Sequence, residues 1–460
     1  MKKRFSNILK KVGIALLSLG TLLSTSAMAE FRVHTDGGLK VYDPSCPAYW
    51  FALGARLEFD EVMFSGDAHS RQDNFPTSAN IRRGYLGFRG GVGDCWIYNL
   101  TLDFGRYRSR VTFQEAWVGY TGLWDDSRLR IGQITPITTF DGYGNTGIHN
   151  GQMFLEPALA TRAFSVPGYP HSGSEALKSL GIILDTQFAD MFSLALTVYQ
   201  PAQGSDNFNH PHRSDRLGEA ARLIFSPVHE EGCVWHFAVM GRHQSVSHSH
   251  SDGTAVLNDL FQTTPEVVTR RTARALAHLD DLGVTTTFSP FLVDAGQRRV
   301  KEYNYAAAEA ATIWGPFTLA GEYHAVGVHR KIVQPSTNAS HLNFHGWHVE
   351  GGYVLTGEHR NYDFPMGTLL GIKPCHPCGA WEIAARYSYV TLVDKDVFGG
   401  SEHNVTVGLN WYVNEHVRFA LNYIRANIHP TGTVAGTAPA LIGTPKRKLD
   451  ILGFRAQVVF

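Results

Sequence analysis

The sequence predicts an all-β fold: a transmembrane antiparallel β-barrel of about sixteen strands, with short periplasmic turns and long extracellular loops. Three observations carry that prediction. Apolar residues recur with a two-residue period in segment after segment. This persists into the closing ILGFRAQVVF, where Leu452, Phe454, Ala456, Val458 and Phe460 share one parity and Gly453, Arg455 and Gln457 the other. Beyond the first 29 residues, no apolar run approaches the ~18 residues that a membrane-crossing helix requires. Finally, the connections between alternating segments are short and long by turns.

The chain opens on a basic stretch, MKKRFSNILKK, followed by the short apolar VGIALLSLGTLLS and the small residues AMA. Residues 1–29 read as a secretory signal peptide cleaved after Ala29, leaving 30–460 as the barrel. The remaining 431 residues hold 36 basic and 41 acidic side chains, a formal net charge of −5. Such a balance excludes a nucleic-acid binder, which needs a strong basic excess. A soluble protein of two or three domains would suit the length. The scarcity of helical periodicity, with 46 glycines and 12% aromatic residues, points instead to β structure.

In order, strands are expected at 48–64, 82–91, 95–106, 111–121, 128–140, 179–189, 191–200, 219–229, 233–246, 301–314, 317–330, 343–357, 379–392, 403–413, 416–428 and 449–460. YNLTLDFG sets Tyr98, Leu100, Leu102 and Phe104 against Asn99, Thr101 and Asp103. FSLALTVY sets Phe192, Leu194, Leu196 and Val198 against Ser193, Ala195, Thr197 and Tyr199. FTLAGEYHA, WEIAARYSY and NVTVGLNWYVN repeat the pattern. The polar faces carry Asn, Thr and Gly with isolated Asp, Glu and Arg, whereas a solvent face is rich in Lys and Glu. The oily faces carry Trp, Tyr and Phe near their ends, as an interfacial girdle would. The polar face is therefore the inside. Short turns fall at GGVGDC, GLWDDS, FADM, HEEGC, WGP and VNEH, and long loops follow EVMF, ITTF, VYQP, GRHQS, VHR, VTL and RANI. One periplasmic turn, 358–378, is unusually long.

Several stretches, in order along nearly the whole chain, resemble the phosphate-selective porin O/P family. They are RRGYLGFRGGV, FQEAWVGY, LRIGQITPI, FLEPALATRAFSVPG, TPEVVTRR, GWHVEGGYVLTGEHRNYD, GAWEIAARYSYVTL, GLNWYVNEHVRFALNYI and GFRAQVVF. The terminal Phe also resembles the C-terminal signal of bacterial outer-membrane proteins. The resemblance implies a Gram-negative outer-membrane channel, a homotrimer, with no enzymatic activity and no cofactor. Its third loop would fold into the lumen, and small phosphate-like anions would pass arginines toward a lysine-rich constriction. This chain departs from that pattern. Past residue 29 it has 8 lysines against 28 arginines, and no lysine cluster in the presumed pore loops. Arginine holds oxyanions bidentately and keeps its charge, so an arginine version is chemically sound.

The candidate anion-facing residues are Arg162, His149 and His171 on the third loop, about 141–178, and Arg270, Arg271 and Arg274 on the fifth, about 247–300. Arg83 and Arg89 share the parity opposite Leu86 and Phe88 and are expected to face the lumen. The bland counterpart is that such arginines balance lumenal acids: Asp103, Glu115, Glu322 and Glu382. TTPEVVTRRTARALAHLDDLG has helix-compatible spacing that would set Arg270 and Arg274 one turn apart.

The 22 histidines would take the net charge from −5 to +17 if all titrated. Anion preference is thus expected to rise in mild acid, with His149, His171 and His324 as the responsive groups. His248 and His250 in SVSHSHSDG suggest casual metal binding at most, and no metal site is assigned. Cys46, Cys95, Cys233, Cys375 and Cys378 all map to the periplasmic end, where structural disulfides are expected. No βαβ pattern surrounds CHPC, which argues against redox catalysis. The rival function is a general-diffusion or structural/adhesin barrel without anion specificity.

Overall fold

The computed structural model describes residues 32–34, 39–66, 78–105, 111–143, 151–165, 179–200, 217–245, 258–259, 262–263, 293–295, 297–298, 300–330, 339–429 and 446–460. Sixteen strands, each antiparallel to its neighbours in chain order, close into one barrel. They are β1 Trp50–Gly66, β2 Ser78–Val92, β3 Trp96–Asp103, β4 Thr112–Tyr120, β5 Ser127–Ile134, β6 Ser179–Phe188, β7 Phe192–Gln200 and β8 Gly218–Glu230. Then follow β9 Cys233–Ser245, β10 Val300–Trp314, β11 Phe317–Arg330, β12 His341–Val354, β13 Ala380–Asp394, β14 Val397–Tyr412, β15 Val417–His429 and β16 Arg447–Val459.

The seam lies between β16 and β1, in register from Leu449↔Gly66 to Val459↔Arg56. Phe460 extends it by one residue. Its N–H donates to the Ala55 carbonyl at 3.0 Å, and the Ala55 N–H donates to the Phe460 carbonyl at 2.8 Å. The alternation that runs to the last residue is therefore a strand edge satisfied to the last residue, which lipid demands. A hairpin of Arg32–His34 and Leu39–Tyr42 pairs with Trp50–Leu53, covering the edge of β1 that β16 does not reach.

Burial alternates with the strand period, with the polar side buried. On β14, Val405, Val407 and Leu409 are exposed to lipid, whereas Glu402, Asn404, Thr406 and Asn410 are fully buried. The oily face ends in stacked aromatics. Trp381, Trp411, Phe419 and Phe454 stack in succession across β13–β16, and Phe188, Phe192, Phe225 and Phe237 across β6–β9. Both rows lie toward the periplasmic turns, where ring edges meet headgroups. The opposite girdle is built from Tyr and His, with His345 beside Tyr323 and Tyr389, and His403 beside Tyr387.

Three expectations need correction. The connection after VTL is not a long loop. β13 and β14 continue to Asp394 and from Val397 around a two-residue turn, with Lys395 at φ 52°. Leu392 and Val397 face inward there and are buried, so the pattern that read as loop is a hydrophobic strand end. Strand β5 stops at Ile134 rather than 140, because the chain turns into the lumen at Thr135. Most consequentially, the long periplasmic segment is no turn. Arg360–Asp363 pairs with Thr368–Ile372 as a hairpin whose side chains meet inward-facing residues of the wall.

Candidate functional site

Two segments fill the barrel interior. One, from Thr135 onward, enters from the extracellular end; its residues 135–142 and 151–164 are buried throughout. The other is the periplasmic hairpin. They meet in mid-barrel: the Thr368 Oγ1 donates to the Phe140 carbonyl at 3.0 Å, and the Arg360 Nη1 donates to the Gly151 carbonyl at 2.9 Å. Gly151 lies so close to the Leu369 carbonyl that any Cβ would overlap it. Phe140, Met153, Phe154 and Leu369 join wall residues Val234, Ile313, Ala320 and Ala384 in one apolar cluster.

The infolded segment is clamped on its Glu156 side by arginines. Arg82 Nε donates to Glu156 Oε1 at 2.8 Å, Arg455 Nη2 to the same oxygen at 3.0 Å, and Arg83 Nη2 to Oε2 at 3.3 Å. Adjacent backbone is held too: Arg455 Nη1 donates to the Leu155 carbonyl at 2.6 Å and Arg386 Nη1 to the Glu156 carbonyl at 3.1 Å. Arg82 and Arg83 are consecutive yet both face inward, because the β1–β2 register slips between Glu58↔Arg83 and Phe59↔Ile81. That β-bulge re-aims Arg82. Burial pushes the Glu156 carboxyl up, but Arg82, Arg83, Arg455 and Arg162 outweigh it and hold Glu156 well below the usual carboxylate range.

The opposite side uses carboxylates and histidines. The Phe140 N–H donates to Glu309 Oε2 at 2.9 Å, and the Asp141 N–H to Glu322 Oε1 at 2.7 Å. The Thr161 hydroxyl donates to Glu322 Oε2 at 3.2 Å, so one wall carboxylate holds both arms of the segment. Burial raises the Asp141 carboxyl; His348 opposes that shift and Glu322 adds to it.

The sequence candidates divide accordingly. Arg83 faces the lumen as expected, paired with Glu58 and Glu156. Arg162 is buried on the infolded segment, near enough to Glu156 to act on its charge. Arg89 shares Arg83's parity but is exposed near the turn end of β2 and does not join that group. His149, His171, Arg270, Arg271 and Arg274 lie outside the described residues, as does the stretch read as helical, 263–283, beyond Thr263. His324 is buried, as a lumenal residue should be, with its Nδ1 2.8 Å from the Tyr305 hydroxyl. The cysteines are all at the periplasmic end, but each is a free thiol. Cys46, Cys95 and Cys233 belong to three separate turns and Cys375 and Cys378 to the long segment, and no disulfide joins them in this structure.

Several residues went unnoticed in the sequence. Arg455 sits on the polar parity of the closing strand, which was signal enough. Arg360 binds Glu382 through Nε at 2.9 Å and Nη2 at 2.5 Å, but nothing in the sequence places a periplasmic residue inside the barrel. Arg242 is buried on β9, and among the described residues no carboxylate pairs with it. Its Nη2 donates to the Ile137 carbonyl at 2.7 Å and its guanidinium lies 5.1 Å over the Tyr305 ring. Its Nε and Nη1 have no hydrogen-bond partner among the described residues.

A closed sixteen-stranded barrel, greasy outside and filled with charged groups and infolded loops, is the architecture of a Gram-negative outer-membrane porin, a channel rather than an enzyme. The chain belongs to the family "Phosphate-selective porin O and P", whose model matches residues 51–460. It is similar to Porin O of Pseudomonas aeruginosa, with 24% identity over 87% of this chain and 88% of that protein. Among solved structures it resembles an anion-selective porin from Comamonas acidovorans, with a TM-score of 0.52, 10% identity, and coverage of 89% of this chain and 99% of the other. OmpT of Vibrio cholerae aligns with a TM-score of 0.51 and 11% identity over 90% of this chain and 98% of its own.

Proposed function

We propose that this porin passes small anions, phosphate-type oxyanions among them, along an arginine-lined route narrowed by the infolded segment and the periplasmic hairpin. The observation that carries the reading is Arg242, a buried lumenal guanidinium without a carboxylate partner, with two nitrogens unclaimed. No lysine is among the buried residues, so guanidinium supplies the permanent positive charge of the described lumen. A fixed cation in a low-dielectric passage raises the local anion concentration. Arg162 on the infolded segment and Arg83 and Arg89 on the wall belong to the same route, and Arg270, Arg271 and Arg274 are its further candidates from the sequence. The kinship with porins described as phosphate-selective and as anion-selective supports the same reading. We also propose that residues 1–29 are cleaved on export and that the channel works as a homotrimer, the form in which one OmpT structure is described.

The test is reversal potential in planar bilayers under a potassium chloride gradient, with phosphate titrated into one chamber. Anion preference and block by phosphate are expected, and Arg242→Gln should lower the anion-to-cation permeability ratio roughly two-fold or more. A reversal potential near zero, unchanged by phosphate, would overturn the proposal in favour of general diffusion.

A further inference from the structure

Strand pairing creates a second centre, joined through Tyr305 to Arg242. Glu322 and His324 sit two apart on the inward face of β11, and β12 places His348 directly opposite Glu322. All three are buried. Each offers one ligand atom, and these atoms lie within 4.8 Å of one another. The His324 and His348 rings are stacked, with centroids 6.2 Å apart.

The hydrogen bonding of this trio is incomplete in a directed way. Both ring nitrogens of His348 are buried and without a hydrogen-bond partner among the described residues. His324 Nε2 lies 3.1 Å from Glu322 Oε2 but makes no hydrogen bond of proper geometry. Leaving such groups dry and unpaired is costly. The other His324 nitrogen is held by the Tyr305 hydroxyl at 2.8 Å. A ligand histidine wants that arrangement: one nitrogen fixed by an outer partner, the other aimed at the ion. Asp141 lies close enough for its charge to act on both His348 and Glu322, giving two carboxylates to balance a divalent cation.

We propose that Glu322, His324 and His348 bind a divalent transition metal, with zinc the best match to two imidazoles and a carboxylate. Such mixed nitrogen and oxygen sets suit zinc, and hard cations such as calcium and magnesium prefer oxygen alone. Because Glu322 also receives the Asp141 N–H and the Thr161 hydroxyl, the ion fastens the infolded segment to the wall.

The experiment uses the full-length protein in detergent, stripped with chelator, loaded with zinc chloride and passed through gel filtration before elemental analysis. One zinc per chain is expected. It should be lost in His348→Ala and in Glu322→Gln, and kept in His329→Asn/His341→Asn, which removes an edge-to-face histidine pair on the outer face. Zinc retained equally by His348→Ala, or lost only from the outer-face variant, would overturn the assignment, as would no retained zinc in the wild type. If His348→Ala does not fold, cobalt(II) bound to the wild type decides. An intense four-coordinate visible band supports the site, and a weak six-coordinate spectrum overturns it.

Discussion

The infolded segment is held on two sides by opposite chemistries. At Glu156 a single carboxylate from the segment meets guanidiniums from β1's neighbours, β2 and β16. At Asp141 the segment meets wall carboxylates and histidines on β10, β11 and β12. On the first side guanidiniums claim both Glu156 carboxylate oxygens, and the Glu156 carboxyl is driven down. The second has unclaimed imidazole nitrogens, and the Asp141 carboxyl is driven up. Two anchors of one segment thus divide the work. One is complete as the chain folds, and the other keeps capacity for something further.

The largest effect should come from breaking the complete anchor. Glu156→Gln takes away the carboxylate that Arg82, Arg83 and Arg455 share, and removing one member of a buried pair costs about 3–5 kcal/mol. Denaturant unfolding in detergent should show that loss, together with raised conductance as the segment swings free. Next comes the junction between the two plugs. Gly151→Ala should cost about 1–3 kcal/mol, because the new methyl meets the Leu369 backbone rather than a yielding side chain. Thermal unfolding is the measurement, and unchanged stability would mean that the plugs do not touch.

Acid sharpens the contrast more gently. The folded Glu156 pKa is depressed, so its contribution is complete above the unfolded value of about 4.3 and is lost only as pH falls through the lower folded value. Stability of this anchor should therefore stay flat from pH 7 to about 5 and decline below about 4. Glu156→Gln should lose that acid-dependent decline. The smallest effect is expected far from both anchors: Lys395→Gly relieves a non-glycine residue at φ 52° but removes its bond to the His341 carbonyl, for a net change of about 1 kcal/mol or less.

The barrel was legible from the chain because a strand's period is local. Val405, Val407 and Leu409 alternate with Asn404, Thr406 and Asn410 whatever the rest of the molecule does, and lipid on one side turns that alternation inside out. The inward settings of Arg83 and His324 were readable for the same reason. Arg82 was not, since a bulge breaks the parity on which such reading depends. The turn at Lys395 was misread because its flanking apolar residues are packed by an inward-facing cluster assembled from distant segments.

Periodicity and the composition of the two strand faces thus establish the membrane barrel and the polar lumen, since both follow from neighbours along a strand. Only folding decides what the lumenal charges do. Glu156 and Arg455 are 299 positions apart, and Arg360 reaches Gly151 across 209. Charge pairing acts through space, so the side on which a guanidinium is satisfied by this chain, or left open as at Arg242, is settled by closure of the barrel around its infolded segments.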